Sequence, residues 1–504
     1  MRFVENTIKY FDFNKLFILD IANNHQGDFA HGVDIITQLG EALKDKPIKP
    51  VIKFQFRQID TFIHPDYKTR DDLPHIPRLM STRLGLEEYE QLIAEAKKWG
   101  MMTCCTPFDE ESVDLIKRMD FDIIKVASCS ISDWPLIAKI IDAKMPIVAS
   151  TGGISLNKID EVVHHFKKNK ADFAIHHCVS IYPTPIAEYN LNQIELLRKR
   201  YRDIPIGWST HEDPDDYTAV QLATAKGAVL FERHVGLQTK KYKLNAYSSN
   251  PEQVTLWVDA YLKGLSALGP KHRSPSKLVE RESIESLVRG VYANKSLTKG
   301  DAIKRGDVFF AMPYTSGGMG SGQWVEGLIA DKDYGVNEPV DKNIIEAVIG
   351  RDPVPGIRNQ LIGMLNDANI SINSGSTIEL SHHYGLESFR EHGAIIIDVV
   401  NREYCKKLII QFPRQKHPYH YHKRKEETFH VLYGKMMAEL DGEAVELSAG
   451  DLFLVEPGHW HKFSTLNGCI FEEISTTHHN DDSIYEDEII GSAPRDKRKT
   501  KITL

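Results

Sequence analysis

No CxxC pair occurs among the six cysteines of the sequence, Cys104, Cys105, Cys129, Cys178, Cys405 and Cys469. Most of them lie inside apolar strand-like runs, so buried reduced thiols in a cytoplasmic protein are the expectation. Positive charge is also in deficit. The net charge is −8, which argues against nucleic acid as a partner. Anionic small substrates stay open, because a local group of lysines can outweigh an average. No apolar run approaches membrane-spanning length, so no membrane partner is expected. The opening MRFVENTIKY lacks the apolar core and cleavage pattern of a signal peptide. Internal repeats are missing too. What is present is a globular composition, 41% hydrophobic and 26% charged over 504 residues. That length is enough for roughly two to four domains.

Eight short apolar runs alternate with amphipathic stretches through the first half of the chain. They are LFILDIA (16–22), VIKFQF (51–56), MMTCCTPF (101–108), DIIKVAS (122–128), PIVAST (146–151), DFAIHHC (172–178), PIGWST (205–210) and AVLFERH (228–234). Helical patterns such as LEEYEQLIAEAKKWG (86–100), ESVDLIKRMD (111–120) and WPLIAKIIDAK (134–144) lie between them. The strand spacing of roughly 20–35 residues, with one gap of about 50, predicts an α/β domain over 1–270, a (β/α)₈ TIM barrel. The long gap holds a polar excursion, 57–80, suited to a loop over the active face. GPKHRSPSK (269–277) reads as a linker. A small, mostly non-helical module is expected over 284–345, a mixed α/β connecting region over 351–400, and an all-β barrel over 401–480. Residues 481–504 read as a charged tail whose PRDKRKTK (494–501) is a loose, solvated end.

Barrel strands bring their C-terminal ends to one face, where barrel enzymes keep their chemistry. His211 in WSTHE and His234 in FERHVGL stand at the ends of two strands. Two converging imidazoles suit a divalent metal with open positions, although either alone would pass for a packed side chain. Lys53 and Lys125 sit inside strands, where a bound anion or a structural carboxylate must offset the buried ammonium. Hydroxyls gather at five strand ends: Thr106, Ser128, Ser150, Ser180 and Ser209. With the lysines they suit a small phosphorylated carboxylate. Gly152 and Gly153, before a capped helix start at Ser155, add an anion-friendly turn.

The runs ILDIANNHQGD (18–28), KFQF (53–56), TPFDEES (106–112), KVAS (125–128), STGG (150–153), HCVSIYPTP (177–185), STHE (209–212) and ERHVGL (232–237) resemble, in that order, the N-acetylneuraminate (sialic acid) synthase family. SLVRGVYANKSLTKGDAIKRGDVFF, within 284–345, is similar to that family's antifreeze-like (SAF) domain. The resemblance implies condensation of phosphoenolpyruvate with an open-chain N-acyl sugar, giving a 3-deoxy-2-ulosonic acid and phosphate for surface glycans. It implies a divalent metal, Mn²⁺ or Mg²⁺, on His211 and His234. Phosphoenolpyruvate would lie among Lys53, Thr106, Lys125, Ser128, Ser150 and Ser209, with Ser180 where the family often has Asn. Gln55 and Tyr182 would face the sugar, and Asp20, Lys53, Lys125 and Tyr182 would form the catalytic set. A homodimer is implied as well, the SAF module of one chain covering the barrel mouth of the other.

The departures from the family fall on the sugar side. Asp20 stands for the usual Glu, one methylene shorter. Ser128-Cys129-Ser130 replaces Ser-Gly-Glu and so removes a carboxylate. Tyr242-Lys243-Leu244 stands near the place of Gly-Pro-Asp, and Met312-Pro313 replaces Arg-Pro. Together they predict a changed acceptor sugar, not a dead enzyme.

Near the C-terminus, HYHKRKEETFHVLYG (420–434) has the HxHx₄Ex₆G spacing of the cupin family's first motif, and PGHWH (457–461) resembles its second. These motifs imply His420, His422, Glu427 and His461 around one divalent transition metal, with a metal-free packing cupin as the alternative. The expected function is a phosphoenolpyruvate-dependent, carbon–carbon bond-forming transferase of the N-acetylneuraminate synthase type. The alternatives are a cupin sugar isomerase or epimerase with an accessory barrel, and a degenerate barrel kept for carbohydrate binding.

Overall fold

The computed structural model describes residues 10–503 except 71, 74, 271–272, 275, 347–353, 374–375, 480 and 495–496. The chain divides into two compact units, residues 1–275 and 276–504.

In the first unit eight parallel strands close a barrel. They are β1 (Leu16–Asp20), β2 (Lys49–Phe56), β3 (Met102–Pro107), β4 (Ile123–Val126), β5 (Ile147–Ser150), β6 (Phe173–Cys178), β7 (Ile206–Thr210) and β8 (Leu230–His234), which pairs back onto β1. Each overlaps one of the eight apolar runs. Strands covered on both faces have no polar side to show, which is why they read as continuous apolar stretches. Phe17, Leu19, Ile52, Phe54 and Phe231 pack outward in the layer shared with the helices. Leu16, Ile18, Val51, Cys104, Ile123, Val148, Ala174 and Leu230 plug the interior.

The period of two then dictates what lies above the plug. Two residues further along the same strands come Asp20, Lys53, Thr106, Lys125, Ser150, His176 and Glu232. All seven are buried. One polar layer thus follows one apolar layer simply because successive inward positions change character. The helix Leu156–Lys168 begins just after the STGG turn, and the Ser155 side chain accepts the Lys158 N–H as its cap.

The second unit holds a small module and a large sheet. In the module β9 (Gly290–Ala293) pairs with β11 (Val308–Ala311), and β10 (Ala302–Ile303) with β12 (Leu328–Ile329). Val291, Ile303, Val308, Met319, Leu328, Tyr334 and Val340 form its core. Met312 is exposed.

The sheet has eleven strands, all pairs antiparallel. They are β13 (Thr377–His382), β14 (Gly393–Asn401), β15 (Tyr404–Gln411), β16 (His420–His422), β17 (Glu427–Leu440), β18 (Glu443–Ser448), β19 (Leu452–Val455), β20 (His461–Ser464), β21 (Cys469–Thr476), β22 (Ser483–Tyr485) and β23 (Lys499–Thr503). Two expectations are corrected here. The connecting region 351–400 is not separate from the β barrel, because β13 and β14 continue its sheet through β15. Ile378, Leu380, Ile395 and Ile397 supply the buried face that requires this. The tail is not a loose end. β23 pairs along β13, Ile502 packs on the same core, and Lys499 pairs with Glu379. An edge strand needs only one partner and one apolar anchor, so a basic segment can supply it. β22 also lies in the expected tail and pairs with β16, the strand that carries His420 and His422.

Candidate active site and a second metal-ligand cluster

Inside the barrel the two strand lysines meet carboxylates. Lys53 Nζ lies 2.9 Å from Asp20 Oδ2 and 2.9 Å from Glu232 Oε1. Lys125 Nζ donates to Ser150 Oγ and lies 3.5 Å from Glu232 Oε2. The counter-charge left open by the sequence is therefore built in, and buried lysines alone no longer argue for an anion. Glu232 is the residue the sequence reading missed. Its signal was its place two residues before His234 on one strand. Burial would raise the Glu232 carboxyl, but Lys125 and Lys53 hold it well below the usual carboxylate range. An ammonium has three donors. With two directions taken on each lysine, one remains on each for a ligand.

His176, also unforeseen, lies fully buried with Nδ1 3.6 Å from Glu232 Oε2. Burial pushes it down to about 3, so it is neutral. Thr106 Oγ1 is buried without a partner among the described residues, a vacancy that a ligand oxygen would satisfy. Ser128 Oγ accepts the Gly152 N–H at 2.9 Å. A Cβ on residue 152 would stand 2.9 Å from Ser128 Oγ and overlap Ser180 Oγ, so only glycine lets these hydroxyls approach. Ser209 is buried, and Ser180 is exposed near the turn.

At the next level His211 and His234 face one another with ring centroids 5.3 Å apart. His211 Nδ1–H donates to the Val179 carbonyl at 2.9 Å. His234 Nδ1 lies 3.5 Å from Asp20 Oδ2. Both arrangements leave Nε2 for a metal, with Asp20 as the orienting carboxylate. Burial brings His211 down to about 3 and lowers His234 as well, so both are in the neutral, ligating form. Two neutral imidazoles are donors that suit a divalent cation, and among the described residues no third His, Cys or carboxylate joins them at ligand distance.

Gln55 Nε2 donates to Asp20 Oδ2 at 3.2 Å. Tyr182, 53% exposed, has its ring tilted against the His211 ring with centroids 4.2 Å apart, and partial burial pushes its hydroxyl up to about 12. Tyr247, which the sequence did not flag, lies 5.3 Å from both Tyr182 and His234. In the loop after β8, Tyr242 and Lys241 bind Asp28 Oδ2 at 2.9 and 3.0 Å, and Leu244 packs against Gly236.

The second cluster lies in the eleven-stranded sheet. His420 and His422 share one face of β16, and His461 pairs opposite His420 on β20. Ring nitrogens of the three lie within 4.8 Å of one another. Their Nδ1 atoms donate to the carbonyls of Pro418, Asp482 and His459 at 3.1, 3.3 and 3.1 Å, which turns each Nε2 inward. Glu427 reaches His422 Nε2 at 3.3 Å and His461 Nε2 at 3.1 Å. Its carboxylate is also gripped by Lys425, buried between Glu427 and Glu473. Lys425 was hidden in the charged run KRKEE. The cavity here measures about 60 Å³ and is lined by the histidines with Lys407, Lys425, Phe429 and Phe463.

Residues 49–273 match the NeuB family and residues 409–468 the cupin domain. A solved structure described as spore coat polysaccharide biosynthesis protein E, from Chromobacterium violaceum ATCC 12472, is 41% identical with a TM-score of 0.62. It covers 65% of this chain and 98% of its own. The N,N'-diacetyllegionaminic acid synthase of Campylobacter jejuni is 26% identical over 337 residues, 64% of this chain and 98% of that protein. A pseudaminic acid synthase of the same species is 27% identical over 235 residues, 46% of this chain and 67% of that protein. A cupin isomerase with an accessory barrel finds no support among these relatives. The chain belongs to the NeuB family of phosphoenolpyruvate-condensing, sialic-acid-synthase-like enzymes, and it carries a cupin domain besides.

Proposed function

We propose that the barrel joins C3 of phosphoenolpyruvate to the aldehyde carbon of an open-chain aldose or N-acyl aldosamine. The products are a 3-deoxy-2-ulosonic acid and inorganic phosphate, for surface glycan synthesis. One observation carries this reading. A single buried layer holds Lys53, Lys125, Thr106, Ser150 and Glu232, and the next residues along the same side of the barrel are two neutral histidines.

Thr106, Ser128, Ser150 and Ser209 offer hydroxyls to phosphate and carboxylate oxygens, and the free donor of each lysine offsets their charge. Asp20, held by Lys53 and Gln55, orients His234 and the acceptor. Tyr182 and Tyr247 wall the histidines on the sugar side. A divalent ion, Mn²⁺ or Mg²⁺, on His211 and His234 would polarise the aldehyde oxygen. As the carbon–carbon bond forms, that oxygen gains a proton and C2 becomes electrophilic. Water adds at C2 and gives up both protons, one balancing that taken by the aldehyde oxygen and one leaving with phosphate, as the C2–O bond to phosphate breaks and a ketone remains.

The same reading takes residues 284–345 as an SAF-like module and the protein as a homodimer, which sedimentation would report. The decisive assay is phosphate release from phosphoenolpyruvate with Mn²⁺ or Mg²⁺ across a panel of aldoses and aldosamines. Release with at least one acceptor is expected, abolished by His211→Ala or His234→Ala together with metal binding. No release from any acceptor, with no phosphoenolpyruvate binding by calorimetry, contradicts the reading.

A further inference from the structure

β7 and β8 run paired as far as Thr210 and Arg233. The next two residues are His211 and His234, so the ladder stops one step short of the two rings that face each other. His234 is still tied to β1, through its register with Asp20. His211 is held by the Val179 carbonyl at Nδ1, and its own carbonyl accepts the Thr184 N–H at 2.8 Å. None of these contacts joins one histidine to the other.

The residues beside them do. Arg233 Nη2 lies 2.9 Å from Glu212 Oε1, and both side chains are fully buried. The same guanidinium donates to the carbonyls of Pro214, Asp216 and Asp213 at 3.2, 3.1 and 3.4 Å. Its central carbon stands 5.2 Å from the centre of the Trp257 ring, on the helix Pro251–Leu268. One side chain of β8 thus grips four groups of the segment that leaves β7. Tyr189 Oη donates to Asp216 Oδ2 at 2.7 Å and holds the far end of that segment.

A buried ion pair is a poor device for stability, because two apolar side chains of similar volume often serve as well or better. What it supplies is direction, since a planar fork fits one arrangement of acceptors. The two imidazoles have no third His, Cys or carboxylate beside them at ligand distance among the described residues. Metal affinity then depends on how the two rings stand to one another. A contact that orients a ligand is worth about 10–100-fold in affinity.

We propose that Glu212 and Arg233 are a positioning pair, which sets the spacing of His211 and His234 and so the metal affinity of the barrel. They act through the histidines, not on the substrates. This rests on the metal-assisted condensation reading above and assigns two further residues to it.

The test strips the full-length protein of metal and titrates it with Mn²⁺. His211→Ala identifies which step of the isotherm belongs to the barrel. Arg233→Met combined with Glu212→Leu removes the pair and fills its space, and should weaken that step about 30-fold. The apparent KM for Mn²⁺ in phosphate release should rise in parallel, while the KM for phosphoenolpyruvate moves less than about threefold. Arg233→Lys keeps the charge but loses the fork, and its affinity should fall between the two. Unchanged Mn²⁺ affinity in the folded double variant overturns the proposal and leaves the condensation reading intact. So does a loss of Mn²⁺ affinity matched by an equal loss for phosphoenolpyruvate, the mark of a loosened barrel. If the double variant does not fold, Arg233→Lys decides alone: several-fold weaker Mn²⁺ binding supports the proposal, and wild-type binding overturns it. A wild-type isotherm with no step lost in His211→Ala contradicts the metal-assisted reading itself, and this proposal with it.

Discussion

Glu232 decides how two lysines can live inside an apolar barrel. It touches both Lys53 and Lys125, so neither ammonium is buried uncompensated. Removing one partner of such a set leaves the others exposed to their full desolvation cost, and Glu232→Gln should destabilise the first unit by about 3 kcal/mol. The pH dependence has a definite sign. The Glu232 carboxyl is depressed in the fold, so its contribution is complete above the unfolded carboxylate value of about 4.3 and is lost as pH falls below it. Urea midpoints measured from pH 7 to pH 3 should show that acid-side loss in the wild type and less of it in Glu232→Gln. Equal midpoints for both proteins at pH 7 would show that the lysines do not depend on this carboxylate.

At the scale of elements, β16 and β20 carry three histidines that could hold a metal, and they share no residue with the candidate site of the barrel. His420→Ala with His422→Ala should remove one metal equivalent, read by metal analysis, and leave phosphoenolpyruvate turnover measurable. Complete loss of turnover with the fold intact would contradict that independence. The barrel strands were legible because buried parallel strands read as apolar runs, and His420 and His422 because alternate positions share a face. Other features were hidden for physical reasons. Glu232 and His176 look like ordinary strand residues until eight strands close and their inward positions meet. Tyr247 lies in a loop, where no periodicity announces orientation. Lys425 sat in a run of charges that reads as solvated, yet two carboxylates hold it inside the sheet. β23 was hidden by its basic composition.

Across the first unit as a whole, acid sensitivity should begin before the carboxylates titrate. Burial brings His25 down to about 4 and His176 to about 3. Both stay neutral in the fold while the unfolded chain takes up protons below about pH 6.5. Each therefore withdraws about 1.4 kcal/mol of stability per pH unit between its unfolded and folded values. Denaturation midpoints should fall steadily from pH 6 towards pH 4, and His176→Leu should shallow that slope. A flat profile down to pH 5 would contradict it. The central claim is the chemistry of the barrel, and the position of bond cleavage tests it most directly. Phosphoenolpyruvate labelled with ¹⁸O in its bridging oxygen is turned over with an accepted sugar, and the products are weighed by mass spectrometry. Addition of water at C2 followed by departure of phosphate predicts the label in inorganic phosphate, beside a new acid carrying all three carbons of the pyruvyl unit. Label retained in an organic product, or pyruvate formed with no new acid, would contradict the account.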